Sequence, residues 1–197
     1  WPRAIQVAWQ VHDISGNCIS NQSYVVHPDG FSIPYDSEKI HGISTQLAKK
    51  IGVDISFVLN KFQEDLKKSQ FMCGHNLNFD EKILGAEYLR SDGNNPLQDF
   101  PKIDTCTEET AGICMLKGGR GRKFKLPTLM ELYTHLFNKK FESAHNASAD
   151  VEATALCLFK LLKDQKIHPN SLSTHLDIIE KLTDLDLNKI KVIDIVH

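Results

Sequence analysis

The chain has 197 residues, 41% of them hydrophobic and 24% charged, with a formal net charge of −2. That is ordinary for one globular domain, with or without an appendage, and long enough for a substantial core. A nearly neutral balance excludes a chain-wide basic surface, so any nucleic-acid contact must come from a local patch. No apolar run approaches the ~20 residues of a membrane span, and no stretch reads as a secretory signal.

The five cysteines (Cys18, Cys73, Cys106, Cys114 and Cys157) include no Cys-x-x-Cys pair. They read as reduced thiols of a cytoplasmic protein rather than as a zinc site. The chain opens on Trp1, in what reads as the approach to a strand, so the sequence predicts further chain upstream.

In AIQVAWQV, positions 4 to 11, Ile5, Val7, Trp9 and Val11 alternate with Ala4, Gln6, Ala8 and Gln10, the period of a strand. The turn-rich HDISGN and the β-prone CISNQSYVVHP complete a predicted antiparallel hairpin. FSIPYDSEKIHGIS reads as irregular, with Pro34 and Gly42 as punctuation. From Asp54, a natural N-cap, the period becomes helical, with Ile55, Val58, Leu59, Phe62 and Leu66 on one face.

QFMC is a short buried strand leading into GHNLNFDEKILGAEYLR, a turn and then a helix. KIDTC is another short strand, and TEETAGICML a short helix. Thr128 and Glu131 have capping-box spacing ahead of a helix carrying Leu129, Leu132, Tyr133, Leu136 and Phe137. A last alanine-rich helix runs from around Asp150 to about Leu162, and the tail holds a helical SLSTHLDIIEKL and a β-like KIKVIDIV. A hairpin followed by alternating strands and helices predicts an α/β fold with a mixed sheet.

Two stretches carry chemistry. In GHNLNFD the chain turns at Gly74 beyond a strand's carboxyl end, and Asp80 falls in the first helical turn, the crevice where open α/β sheets place ligands. Taken alone, Asp80 also reads as a complement to the helix dipole. In AHNASADVEATA, positions 144 to 155, His145 and Asp150 are five residues apart, about 140° around a continuous helix. They converge only if His145 lies in the preceding loop and Asp150 in the early helix, with Asn146 or Ser148 as N-cap.

The alanines at 147, 149, 153 and 155 let that helix approach the sheet. Carboxylates meeting there suit hard divalent cations such as Mg²⁺, and two ions about 4 Å apart clamp the oxygens of a phosphodiester. A histidine titrating near neutrality suits the deprotonation of water. Two aspartates are too little charge for two ions, so the residues predict further carboxylates.

GHNLNFDEKIL and HNASAD resemble the second and third motifs of the DEDDh-type 3′–5′ exonucleases, which have a ribonuclease H-like fold. The order of IHGIS, GHNxxFD, IDT, LPTLMELY and HxxxxD is most similar to the branch of the proofreading epsilon subunit of bacterial DNA polymerase III. The resemblance spans roughly Ala4 to Leu162 and implies an exonuclease domain over 1–163 with a short, partly helical C-terminal extension over 164–197.

The resemblance implies a two-ion Mg²⁺ or Mn²⁺ site with Asp80 and Asp150 as ligands and His145 as general base. It places His41 and Ile43 at the terminal nucleotide, with Asn76 bracing the turn before Asp80. The family's first motif, an Asp-x-Glu strand central to the sheet, is absent, and the missing carboxylates are expected upstream of Trp1.

KGGRGRKFK adds Lys117, Arg120, Arg122, Lys123 and Lys125 with no acidic residue. Its cations suit backbone phosphates, or else form a solvated loop; Arg120, Arg122, Lys123 and Lys125 are the predicted contacts. The expected partners are single-stranded or frayed 3′ ends of DNA or RNA, and a polymerase subunit. A non-catalytic nucleic-acid- or polymerase-binding module that keeps the fold is the rival reading, and an unrelated metallophosphoesterase is a third.

Overall fold

The computed structural model describes residues 1–13, 16–118, 121, 123–141, 146–164 and 191–196. The predicted hairpin forms from β1 (Gln6–Asp13) and β2 (Cys18–Val25), antiparallel, with a register irregularity between Val11 and His12. Alternation along β1 serves both faces: Val7, Trp9 and Val11 enter one core, while Ala8 enters another on the opposite side.

Trp9 ties the hairpin to α3 (Ile55–Leu66). Its Nε1–H donates to Asp65 Oδ2 at 3.0 Å, and its ring meets Phe62 edge-on at 5.4 Å. Asp54 caps α3 by accepting from the Ser56 amide at 2.7 Å.

The segment read as irregular holds two short helices, α1 (Tyr35–His41) and α2 (Thr45–Ile51). Its punctuation is helix punctuation. Pro34 precedes the first turn, Asp36 and Glu38 complement the dipole there, and Gly42 takes the left-handed C-cap conformation at φ 75°. Neither helix is long enough for a periodic apolar stripe to declare it, and α1 buries no residue at all.

The sheet continues with β3 (Phe71–Gly74), β4 (Lys102–Asp104) and β5 (Lys191–Val196) in the order β2-β1-β5-β3-β4. Strand β5 runs antiparallel to β1 and parallel to β3, which is parallel to β4. Residues 191–196, read from the sequence as part of an extension, therefore occupy the middle of the sheet. Ile193 and Ile195 are buried in its main core with Trp9 and Met72. The helical stretch expected at SLSTHLDIIEKL lies outside the described residues.

Helices α3 and α4 (Leu77–Ser91) cover one face. The other is covered by α7 (Ala147–Lys163) and α6 (Leu129–Phe137), packed around Leu132, Cys157, Leu158 and Leu161. The Thr128–Glu131 capping box closes reciprocally at the start of α6. Helix α5 (Glu108–Cys114) follows β4. No disulfide joins the five cysteines. Among the described residues no helix is long and apolar enough to cross a membrane.

Candidate active site

The turn between β3 and α4 is fixed from the end of β4. Asp104 Oδ1 accepts from the amides of Asn76 at 2.9 Å and Cys106 at 2.8 Å, and Oδ2 accepts from that of Leu77 at 3.0 Å. Burial pushes the Asp104 carboxyl up, against the pull of these bonds and of His75. Asn76 braces the turn through its backbone, left-handed at φ 64°, while its side chain makes no capping bond.

His75 spans the gap behind the turn. Burial holds it below the usual histidine range, so it is neutral. Nε2–H donates to the Pro127 carbonyl at 2.9 Å, which leaves Nδ1 to accept from the Thr105 hydroxyl at 2.9 Å. The IDT element thus acts as the buckle of GHNxxFD. It leaves Asp80 in the first turn of α4, 7% exposed.

Asp150 lies in the first turn of α7, half-buried. Asn146 is the N-cap, accepting from the Ser148 amide at 3.1 Å. The expected close approach is made: Ala147 and Val151 pack on Ala8 of β1. Ala8 pairs with Val196 at the carboxyl end of β5, and β5 is parallel to β3. Asp80 and Asp150 therefore both stand at the carboxyl-end edge of the parallel strands.

A cavity of about 330 Å³ opens at this edge between α1, α4, α7 and the start of β1. Asp150, His41, Phe79 and Arg3 are among its walls. Its size falls at the lower end of small-ligand clefts. Asp80 itself does not line it; its neighbour Phe79, 45% exposed, does.

His41 Nδ1 accepts from the Ile43 amide at 3.0 Å, so the proton of the neutral ring is on Nε2. Burial lowers the His41 pKa, against Glu38. Nε2 is buried with no hydrogen-bond partner among the described residues. A buried donor left in this state costs free energy until an acceptor meets it.

Ile43 is placed differently. It packs in a small core with Ile33 and Ala48, and of the two isoleucines of IHGIS it is Ile40 that lines the cavity.

His145, Arg120 and Arg122 lie outside the described residues. Of the remaining basic positions, Lys125 Nζ is paired with Glu131 Oε1 at 2.6 Å, and Lys123 Nζ lies 5.2 Å from the centre of the Phe124 ring. Phe79 and Arg3 were not singled out by sequence reasoning. Phe79 was legible from its place beside Asp80, whereas nothing local marks Arg3.

Carboxylates are hard oxygen donors of the kind that Mg²⁺ and Mn²⁺ take, so Asp80 and Asp150 suit such an ion in chemical type. Among the described residues no group of three His, Cys, Asp or Glu side chains comes together. Water or other ligands would have to complete the shell.

No family model matches the sequence, and no curated protein matches it. Solved structures do. The crystal structure of Escherichia coli exonuclease I with a dA16 oligonucleotide superposes with a TM-score of 0.66 at 19% identity, over 82% of this chain and 37% of that one. A second exonuclease I structure, one that suggests how processivity is achieved, gives 0.68 at 19% identity over 90% and 39%.

The zinc-bound form of the E. coli exonuclease I–single-stranded DNA complex gives 0.63 at 20% identity over 83% and 37%. This chain thus spans less than two-fifths of the chains it matches, and at this identity the likeness establishes the fold alone. The fold is the expected ribonuclease H-like mixed sheet flanked by helices, shared with an exonuclease. The closer likeness to the polymerase proofreading subunit remains one of motifs.

Proposed function

We propose that this chain is the catalytic part of a metal-dependent 3′–5′ exonuclease acting on single-stranded or frayed ends of DNA or RNA, in a proofreading-like role beside a polymerase. The observation that carries the reading is the cavity that joins Asp150, His41 and Phe79 from three different helices, one residue along the chain from the buried Asp80. The structural neighbours point the same way, since two of them are complexes with single-stranded DNA.

In this reading Asp150 and Asp80 hold a divalent cation of the Mg²⁺ or Mn²⁺ type. Such an ion, when bound, polarises the phosphoryl oxygen and favours a nucleophilic water. His145 takes the proton of the attacking water. The new oxygen–phosphorus bond forms as the bond to the 3′ oxygen of the shortened strand breaks, and a nucleoside 5′-monophosphate leaves. His41 and Phe79 seat the terminal nucleotide, with Ile43 shaping the wall from behind and Asn76 holding the turn. Arg120, Arg122, Lys123 and Lys125 meet the backbone phosphates further along the strand.

The test is digestion of end-labelled single-stranded DNA and RNA with and without chelator. Wild type should release monophosphates from the 3′ end, and chelator should stop it. Asp150→Ala should show no turnover while melting like wild type, and His145→Ala should lose about 10²–10⁴-fold. A folded wild type that binds single strands but never shortens them, with Mg²⁺ or Mn²⁺ supplied, makes the chain a binding module instead.

A further inference from the structure

We propose that Arg3 is a substrate-positioning residue whose guanidinium edge holds a phosphate of the nucleotide in the cavity. The inference rests on the exonuclease reading for the identity of the ligand, but its support comes from a separate part of the molecule.

Arg3 precedes β1 and lines the cavity with His41 and Asp150. It is anchored by one edge only. Nε donates to both oxygens of Glu87, at 2.9 and 3.2 Å, and the guanidinium lies over the Phe31 ring with its carbon 4.8 Å from the centroid. Glu87 is 1% exposed and also accepts from the Ala4 amide at 2.9 Å, so the anchor is itself fixed. The two terminal nitrogens of Arg3 make no hydrogen bond among the described residues.

A guanidinium anchored at Nε and stacked on a ring has lost most of its rotational freedom before any ligand arrives. Its unused edge still carries donors in the fork that matches two phosphate oxygens. The charge favours an anion as well. Glu87 is shared with Arg90, 3.2 Å away, so one carboxylate stands between two guanidiniums and does not cancel the charge of Arg3, which faces a cavity that Asp150 also lines.

A second observation in the same cavity points to an acceptor-rich ligand. His41 is another of its wall residues, and its Nε2–H is buried without a partner among the described residues. Arg3 and His41 thus stand among the polar lining residues, while Phe79 and Ile83 offer apolar surface for a base. Lysine could match the charge of Arg3 but not the fork.

The experiment is calorimetric titration of wild type, Arg3→Gln and Arg3→Lys with thymidine 5′-monophosphate and with thymidine, in Mg²⁺, beside steady-state digestion of a single-stranded oligonucleotide. Arg3→Gln should weaken monophosphate binding about ten- to hundredfold, the range for hydrogen bonds to charged groups, and leave thymidine unchanged. Its KM should rise more than its kcat falls. Arg3→Lys keeps a cation for Glu87 and should fold like wild type while recovering only part of the loss.

Equal weakening of monophosphate and nucleoside by Arg3→Gln, an unchanged KM, or a Lys variant equal to wild type would each overturn the phosphate role while leaving the nuclease reading intact. A wild type that binds neither ligand and digests no strand overturns that reading, and this inference with it.

Discussion

Helices α4 and α7 each carry a candidate carboxylate in the first turn, Asp80 and Asp150, at the same edge of the sheet, yet their starts are held in different ways. At α4 the turn is bound to a remote strand end through the two amides of Asn76 and Leu77 accepted by Asp104, with His75 bonded on both sides. At α7 the cap is local, Asn146 to Ser148, and the helix takes its place because Ala147 and Val151 fit against Ala8. One carboxylate is positioned by polar bonds and the other by the smallness of its neighbours. The first should be sensitive to loss of an acceptor, the second to added volume.

The largest effect expected is at Asp104. Replacing it with alanine leaves the amides of Asn76, Leu77 and Cys106 without their acceptor and should cost about 3–5 kcal/mol. Asp104→Asn, which keeps one carbonyl oxygen, should cost less. Urea denaturation measures both, and an Asp104→Ala protein as stable as wild type would show that the turn is held by something else. At α7 the informative change is Ala147→Leu. Leucine is a good helix former, so any loss comes from overpacking against Ala8, about 1–3 kcal/mol, and nuclease activity should fall further than stability does. Asn146→Ala should cost about 1 kcal/mol in the same denaturation, and Asn146→Asp almost nothing. If the cap change outweighs the volume change, the contrast between the two helices is wrong.

The same contrast explains what the sequence made legible. Features written in neighbouring residues were readable: the alternation of β1, the Asp54 cap, the Thr128–Glu131 box, the small-residue run of α7. Features made by distant residues were not. Asp104 looked like the end of a short strand, and its service to the α4 turn depends on β3 and β4 lying side by side. Arg3 meets Glu87 across 84 positions, so no window of sequence pairs them. The middle strand was hidden for another reason. KVIDIV has a strand's composition, but six residues do not say which gap in a sheet they fill. IHGIS contributes Ile40 and His41 to the cavity wall, yet which isoleucine of the motif stands there was set by α1, a helix too short to announce itself.

The smallest effect expected is a dependence on pH that arises behind the α4 turn. His75 is held neutral by burial, which lowers its pKa from the usual 6.5; its bond to Pro127 and the nearby Asp104 and Asp80 act in the other direction without prevailing. A histidine whose folded pKa is depressed binds its proton more readily when the chain is unfolded. Its contribution to stability is therefore complete above pH 6.5 and declines as the pH falls below that value towards the folded pKa. His12 and His41 are lowered in the same way, and Asp104 is shifted upward, so wild type alone would report their sum. Comparing wild type with His75→Gln largely cancels what the two proteins share. Glutamine can still donate towards Pro127 and accept from Thr105, but it does not titrate. In chelator, the difference in urea midpoint between the two proteins should shrink steadily from pH 7.5 to pH 5.5. A gap that stays constant across that interval would mean that the ring exchanges its proton with water as freely as in the unfolded chain, and that the buckle behind Asp80 is looser than its hydrogen bonds imply.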